Sequence, residues 1–314
     1  MEGQYLRRQF IKMLSAGLVG VWGLPGRVNA REAAVTKVIA TKAIPSSGEA
    51  LPVIGMGTWR TFNVGDDPQL LAARTQVLEA FFANGGGLVD SSPMYGSAAD
   101  TIGYALKRLG KPESLFSAEK VWSPAGGTTR EQVASLARRW GVDKFDLVQV
   151  HNIDDWREHL AVLREMKAAG ELRYVGITTS HGRRHPEFEQ ILASEDIDFC
   201  QLTYNITRRE AERRLLPLAR EKGIAVIANR PFDGGSLIKG LKRREAVPEW
   251  AQQEFACRTW AEFLLKFIVS HPAINCAIPA TSRVPHMNEN MQAGKGPMPD
   301  AAARQRMVRF IESL

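Results

Sequence analysis

The chain has 314 residues, 44% hydrophobic and 24% charged, which excludes disordered, collagen-like and disulfide-scaffold classes and points to a globular protein. That length accommodates two average domains, or one α/β barrel of about 250 residues with extensions. The formal net charge of +7 is no nucleic-acid signature: Arg7, Arg8, Lys12 and Arg27 against Glu2 hold three of those charges in the first thirty residues, and the other basic residues are scattered.

Residues 1–30 read as a cleavable export signal. Arg7-Arg8-Gln9-Phe10-Ile11-Lys12 is a basic n-region, Met13–Leu24 a modest apolar run, and Val28-Asn29-Ala30 an A-x-A-like end. The adjacent arginines, followed by Phe10 and Lys12, specify the twin-arginine type, with the twin-arginine export machinery as partner. The apolar run is short against the roughly 20 residues that a bilayer core requires, so no stable membrane span is expected after cleavage. The mature chain, 31–314, then starts at Arg31 and resides in the periplasm or is otherwise exported from a bacterial cytoplasm.

Val35–Ile44, Ser46-Ser47-Gly48-Glu49 and Leu51 form an expected hairpin. Eight strand-like runs follow: Val53–Gly57, Leu88–Asp90, Leu115–Lys120, Phe145–His151, Tyr174–Thr178, Phe199–Leu202, Ala225–Ala228 and Asn275–Ile278. Amphipathic stretches separate them: Leu70–Phe82, Ala99–Leu109, Arg130–Trp140, Trp156–Ala169, Arg209–Lys222 and Arg258–Ser270. Repeated strand–helix units mean a parallel sheet, and eight of them favour a closed (β/α)8 TIM barrel, with the hairpin covering one end. A doubly wound sheet would carry a Gly-rich phosphate turn after its first strand, whereas Gly55-Met56-Gly57-Thr58 does not continue as G-x-G-x-x-G. Phe232 to Gln253 is a long connection of the kind that serves as a lid. Pro299–Leu314 looks helical, which leaves the pocket open. Cys200, Cys257 and Cys276 show no metal-ligand spacing, and Cys200 and Cys276 sit in strand-like runs as buried thiols.

Polar residues recur at the C-terminal ends of the strands, where the catalytic face of such a barrel lies. Leu88-Val89 ends in Asp90, Leu115–Glu119 in Lys120, and Leu147–Val150 in His151, while Tyr95 follows Asp90 in its loop. Carbonyl reduction needs this set: hydride addition leaves an alkoxide, and Tyr95 can protonate it. A free phenol, at a pKa of about 10, is a weak acid, so Lys120 is expected to lower that pKa and Asp90 to hold the lysine. His151 donates a hydrogen bond to the substrate oxygen. Singly, each residue has a structural alternative, a turn cap for Asp90 or a core histidine for His151; together they favour a site.

Over nearly the whole mature length the chain resembles the aldo/keto reductases. The matching segments are Leu51-Pro52-Val53-Ile54-Gly55-Met56-Gly57-Thr58-Trp59, Asp90-Ser91-Ser92-Pro93-Met94-Tyr95-Gly96, Glu119-Lys120-Val121-Trp122, Gln149-Val150-His151-Asn152, Ile278-Pro279-Ala280-Thr281 and Glu289-Asn290. The resemblance implies NAD(P)H-dependent reduction of an aldehyde, ketone or sugar carbonyl, with NADPH preferred and NADH as the alternative. It places Gly57 and Thr58 at the nicotinamide end, and Thr178, Thr179 and Gln201 at the carboxamide. Arg230 and Phe232 fall on the pyrophosphate side, and Thr281, Ser282, Arg283, His286, Glu289 and Asn290 on the adenosine phosphate side. Trp59 and Trp122 become pocket walls. The sequence departs from the family at Thr178-Thr179, where Ser-Asn is usual, at Asn229, where an aromatic residue stacks on nicotinamide, and at Ala280, where many members carry lysine. Arg283 is expected to compensate for Ala280. Twin-arginine export of folded proteins suits a protein that binds its cofactor first. A second reading, a cofactor-binding barrel acting as a sensor or assembly subunit with little turnover, is separated from the first by testing turnover of bound NADPH.

Overall fold

The computed structural model describes residues 38–314; the export signal read in residues 1–30 lies outside the described residues. Two short strands, β1 (Thr41–Ala43) and β2 (Ala50–Pro52), pair antiparallel as the expected hairpin. Eight further strands make one parallel sheet: β3 (Met56–Gly57), β4 (Leu88–Asp90), β5 (Phe116–Val121), β6 (Phe145–Val150), β7 (Leu172–Thr178), β8 (Phe199–Thr203), β9 (Ala225–Asn229) and β10 (Cys276–Ala277). Each pairs with the next in chain order. Parallel bridges Ile54–Ala277 and Gly57–Ala280 join the two ends, so the sheet closes into the expected barrel. The first strand is shorter than Val53–Gly57 because its early residues bond on one side only, Gly55 N donating to Ala277 O and Ala277 N to Val53 O.

Alternation of side chains along each strand divides the apolar residues into two cores. Leu88, Phe116, Leu147, Tyr174, Phe199, Ile227 and Cys276 fill the barrel interior, and Ile44 and Leu51 of the hairpin plug it from below. The opposite faces pack beneath the helical ring: α1 (Pro68–Ala83), α2 (Ala98–Leu109), α3 (Thr129–Trp140), α4 (Trp156–Ala168), α5 (His185–Ser194), α6 (Leu215–Glu221), α7 (Ser236–Leu241), α8 (Glu249–Phe255), α9 (Trp260–Val269), α10 (Val284–Gln292) and α11 (Ala301–Glu312). Helix α3 starts where its sequence says: the Thr128 side chain and Glu131 form a reciprocal capping box.

Three features differ from expectation. Helix α5 occupies a stretch in which no helix was expected. The single helix expected over Arg209–Lys222 is broken into a 3-10 turn, Glu210–Arg213, and α6; Pro217 lacks the amide and crowds the carbonyl four residues back, so one continuous helix cannot form. The long connection after Phe232 is not irregular but holds α7 and α8. All three cysteines are free and buried. Among the described residues no helix is long and apolar enough to cross a membrane.

Candidate active site

The interior face of each strand turns from apolar to polar toward its C-terminal end, because every second residue points inward. Leu88 gives way to Asp90, Phe116 and Ala118 to Lys120, Leu147 to Gln149, Phe199 to Gln201 and Thr203, and Ile227 to Asn229. A polar layer therefore sits on the apolar one, and a cavity of about 320 Å3 opens above it. Asp90, Tyr95 and His151 line this cavity; Lys120 lies just beneath, 1% exposed.

Lys120 Nζ donates to both Asp90 carboxylate oxygens at 2.7 Å and to Ser91 O at 2.6 Å. Gln201 Nε2 donates to Asp90 Oδ1 at 2.9 Å and Gln149 Nε2 to the same atom at 3.3 Å, so three side chains lock one carboxylate. The ammonium stands 5.6 Å from the centre of the Tyr95 ring. This corrects the expected acidification of the phenol. Burial foremost, then the charges of Asp90 and Glu119, hold the Tyr95 pKa well above its ordinary value of 10.0. The ammonium charge is answered by Asp90 at contact distance, so Tyr95 is kept as a protonated donor and not as a phenolate.

His151 is 7% exposed, and burial, helped by the Lys120 and Arg183 charges, pushes its pKa down to about 3. The ring is therefore neutral through the physiological range. Its Nδ1 lies 2.8 Å from Ser92 Oγ, which also accepts from Met94 N at 3.3 Å. Ser92 is 1% exposed, and among the described residues its hydroxyl proton has no acceptor other than that nitrogen. A buried hydroxyl proton without an acceptor is costly, so Ser92 donates to Nδ1 and the ring proton sits on Nε2. Ser92 thus makes His151 a donor at Nε2. Ser92→Ala is expected to lower turnover about three- to tenfold, the net worth of one hydrogen bond, and to shift His151 toward the other tautomer in its nitrogen NMR spectrum. A variant with unchanged rate and tautomer contradicts this role.

Most of the sequence-predicted cofactor residues gather here. Gly57, Thr58, Trp59, Thr178, Thr179, Gln201, Arg230 and Phe232 line the cavity. Gly57 has no room for a side chain: a Cβ there would come within 2.9 Å of Ile278 O. Thr58 Oγ1 donates to Asp90 O at 2.9 Å, tying this loop to the catalytic strand. Asn229 is wired inward: Thr203 Oγ1 donates to its Oδ1 at 2.7 Å, and its Nδ2 donates to Thr179 O at 2.9 Å. The remaining candidates lie elsewhere. Trp122 does not line the cavity; its ring packs 6.1 Å from that of His151, and its Nε1 donates to Asp154 at 3.2 Å. Thr281, Ser282, Arg283, His286, Glu289 and Asn290 are also outside it, because the lining ends at Ala280. Thr281 and Ser282 precede α10, Arg283 stands at its N-cap, and His286, Glu289 and Asn290 lie on the helix; Thr281 Oγ1 accepts from Arg283 N at 3.2 Å and Asn290 is buried. The Arg283 side chain is exposed, with no ion-pair partner among the described residues.

Sequence reasoning missed Ser92, Gln149 and the Asn152–Asp155 loop. Strand alternation alone would place Gln149 on the same face as His151, two residues on. Positive φ marks the loop: Asn152 at 55°, the β-branched and buried Ile153 at 52° and Asp155 at 44°. Such strain persists only where neighbours over-determine it. Arg184 supplies part of that restraint, donating to Asn152 O at 3.1 Å and Asp154 Oδ1 at 3.2 Å.

A closed parallel barrel with buried Lys–Asp, tyrosine and neutral histidine at its C-terminal mouth defines a class of protein. The model of the aldo/keto reductase family matches residues 53–305, and the chain belongs to that family. It is 28% identical over 255 residues to the methylglyoxal reductase YeaE of Escherichia coli, covering 79% of this chain and 88% of that protein. It is 29% identical over 256 residues to the NADH-specific methylglyoxal reductase of the same organism, covering 68% and 73%. Among solved structures, an aldo-keto reductase from Klebsiella pneumoniae in complex with NADPH superposes with a TM-score of 0.73 at 22% identity, over 87% of this chain and 95% of that one.

Proposed function

We propose that the protein is an NADPH-dependent carbonyl reductase that works after export from the cytoplasm. The observation that carries the reaction is that Tyr95 and His151 line one cavity directly above the buried Lys120–Asp90 pair, where burial favours a protonated phenol and a neutral imidazole. The cavity suits a nicotinamide cofactor: Thr178 and Gln201 offer donors and acceptors for an amide, and Arg230 offers a cation for phosphate. When bound, the nicotinamide supplies the hydride. The residues do the rest. His151 Nε2–H and the Tyr95 hydroxyl converge on the carbonyl oxygen, polarise it and fix its orientation. As negative charge develops there, Tyr95 transfers its proton. Lys120, its ammonium 5.6 Å from the ring centre, offsets only part of the charge left on the phenol oxygen, and Asp90, held by Gln149 and Gln201, keeps Lys120 in place. Oxidation of NADPH with a panel of aldehydes that includes methylglyoxal tests this reading; no turnover with any member contradicts it.

Arg283 is assigned the 2′-phosphate preference. That phosphate needs a cation, Ala280 supplies none, and Arg283 at the start of α10 has no ion-pair partner among the described residues. A charge-assisted hydrogen bond of about 1.5–3 kcal/mol corresponds to roughly ten- to a hundredfold, so Arg283→Ala should weaken NADPH binding by that factor and leave NADH nearly unchanged. Equal losses for both cofactors on titration would place the phosphate elsewhere.

Export rests on the arginine pair, the short apolar run and the small residues at 28–30. Substituting Arg7→Lys and Arg8→Lys together is expected to leave the protein in the cytoplasm. Efficient export of that form, seen by cell fractionation, removes the twin-arginine assignment.

A further inference from the structure

Among the described residues, Arg183 is a firmly held cation of the cavity lining without a carboxylate partner, and hydride transfer makes no use of it. Thr179 Oγ1 donates to Arg183 O at 2.6 Å, and Arg183 N closes a turn onto Ser180 O at 3.2 Å. Its guanidinium is tethered to the same turn, Nε donating to Ser180 O at 3.3 Å and Nη2 to Ser180 Oγ at 3.0 Å. His181, two residues back, is also fixed, its N donating to Thr203 Oγ1 at 2.9 Å. Yet no carboxylate pairs with Arg183 among the described residues, whereas Arg184 has Asp154 and Glu187, and Arg208 and Arg230 share Asp233. Arg60 adds a second lining cation without a carboxylate among the described residues, stacked 4.3 Å over the Trp59 ring. Among the described residues Asp90 is the one carboxylate in the lining, and Lys120 occupies it. The Arg183 charge also contributes to the depressed pKa of His151, so it acts on the reacting end of the cavity.

We propose that the carbonyl substrate bears an anionic group, carboxylate or phosphate, that Arg183 binds with Arg60 beside it while the carbonyl oxygen meets Tyr95 and His151. A guanidinium pre-positioned by its own loop loses little freedom on gripping such a group. Trp59 and Met94, apolar, exposed and in the same lining, cover the carbon chain. This assignment rests on the carbonyl-reductase reading.

The test compares matched pairs on the wild type and Arg183→Gln: 4-carboxybenzaldehyde with its methyl ester, succinic semialdehyde with butanal, and glyceraldehyde 3-phosphate with glyceraldehyde. The charged member of the carboxylate or the phosphate pairs should be favoured in kcat/KM by about ten- to a hundredfold, mainly through KM, and the preference should collapse toward one in Arg183→Gln. The pair showing the larger ratio identifies the anion, and the Kd for NADPH should not change. Calorimetric titration of the NADP+-bound protein with terephthalate, succinate and inorganic phosphate needs no turnover; Arg183→Gln should abolish the binding. If no aldehyde is reduced but this anion binding is lost in the variant, the anion site stands and the reductase reading falls. Equal use of charged and neutral partners, a preference that survives Arg183→Gln, or a loss of NADPH affinity in the variant overturns the proposal.

Discussion

Tyr95→Phe is expected to cut turnover about a hundredfold to ten-thousandfold, the size of a lost general acid, while NADPH affinity stays nearly unchanged. The substitution removes one oxygen from a ring that packs edge-on 6.1 Å from His151, so the cavity keeps its shape. What disappears is the proton that neutralises the developing alkoxide. Neither neighbour can replace it. His151 is neutral, with its pKa pushed down to about 3, and Lys120 is below the cavity floor, bound to Asp90 and Ser91. The loss should therefore appear in kcat and kcat/KM alike. Wild-type turnover in this variant assigns the proton to another group.

Asp90→Asn should be costly to stability as well as to rate. Asp90 and Lys120 are 2% and 1% exposed, and the carboxylate accepts from Lys120, Gln149 and Gln201. An amide keeps the shape but removes the counter-charge and sets its own N–H groups against those donors. Leaving one member of a buried ion pair unanswered typically costs about 3–5 kcal/mol. The urea midpoint should fall accordingly, and turnover should fall with it, because Lys120 is no longer held under the phenol. A variant with an unchanged midpoint shows that the pair does not carry this share of the stability.

Much of this site is written in local pattern. Alternation along the strands is a property of consecutive residues, so Asp90, Lys120 and His151 could be placed at strand ends without knowledge of any contact. The barrel followed from the same rhythm, since eight apolar runs separated by helical stretches leave few ways to bury both faces. Ser92 was not legible, because its role depends on His151, 59 positions away, through one hydrogen bond across two loops. Arg183 was hidden for a related reason: an arginine in a polar loop is ordinary until its missing counter-charge is seen among paired neighbours. The direction of the Tyr95 shift is not legible in residue types, which reveal that a lysine is near but not how deeply the phenol is buried. The break before α6 needed only Pro217, whose effect a smooth amphipathic pattern over Arg209–Lys222 had masked. The segment from Thr281 to Asn290 shares the order of the family motif, yet it adjoins the cavity only through Ala280.

The most direct test of the central claim follows a labelled hydride. The purified protein is incubated with NADPH carrying deuterium at the nicotinamide C4, an aldehyde such as methylglyoxal or 4-carboxybenzaldehyde is added, and the product is weighed by mass spectrometry. The account predicts an alcohol with one deuterium on the former carbonyl carbon, formed at a rate that Tyr95→Phe reduces at least about a hundredfold. Bound cofactor that stays reduced and labelled in the presence of every aldehyde tried would contradict it.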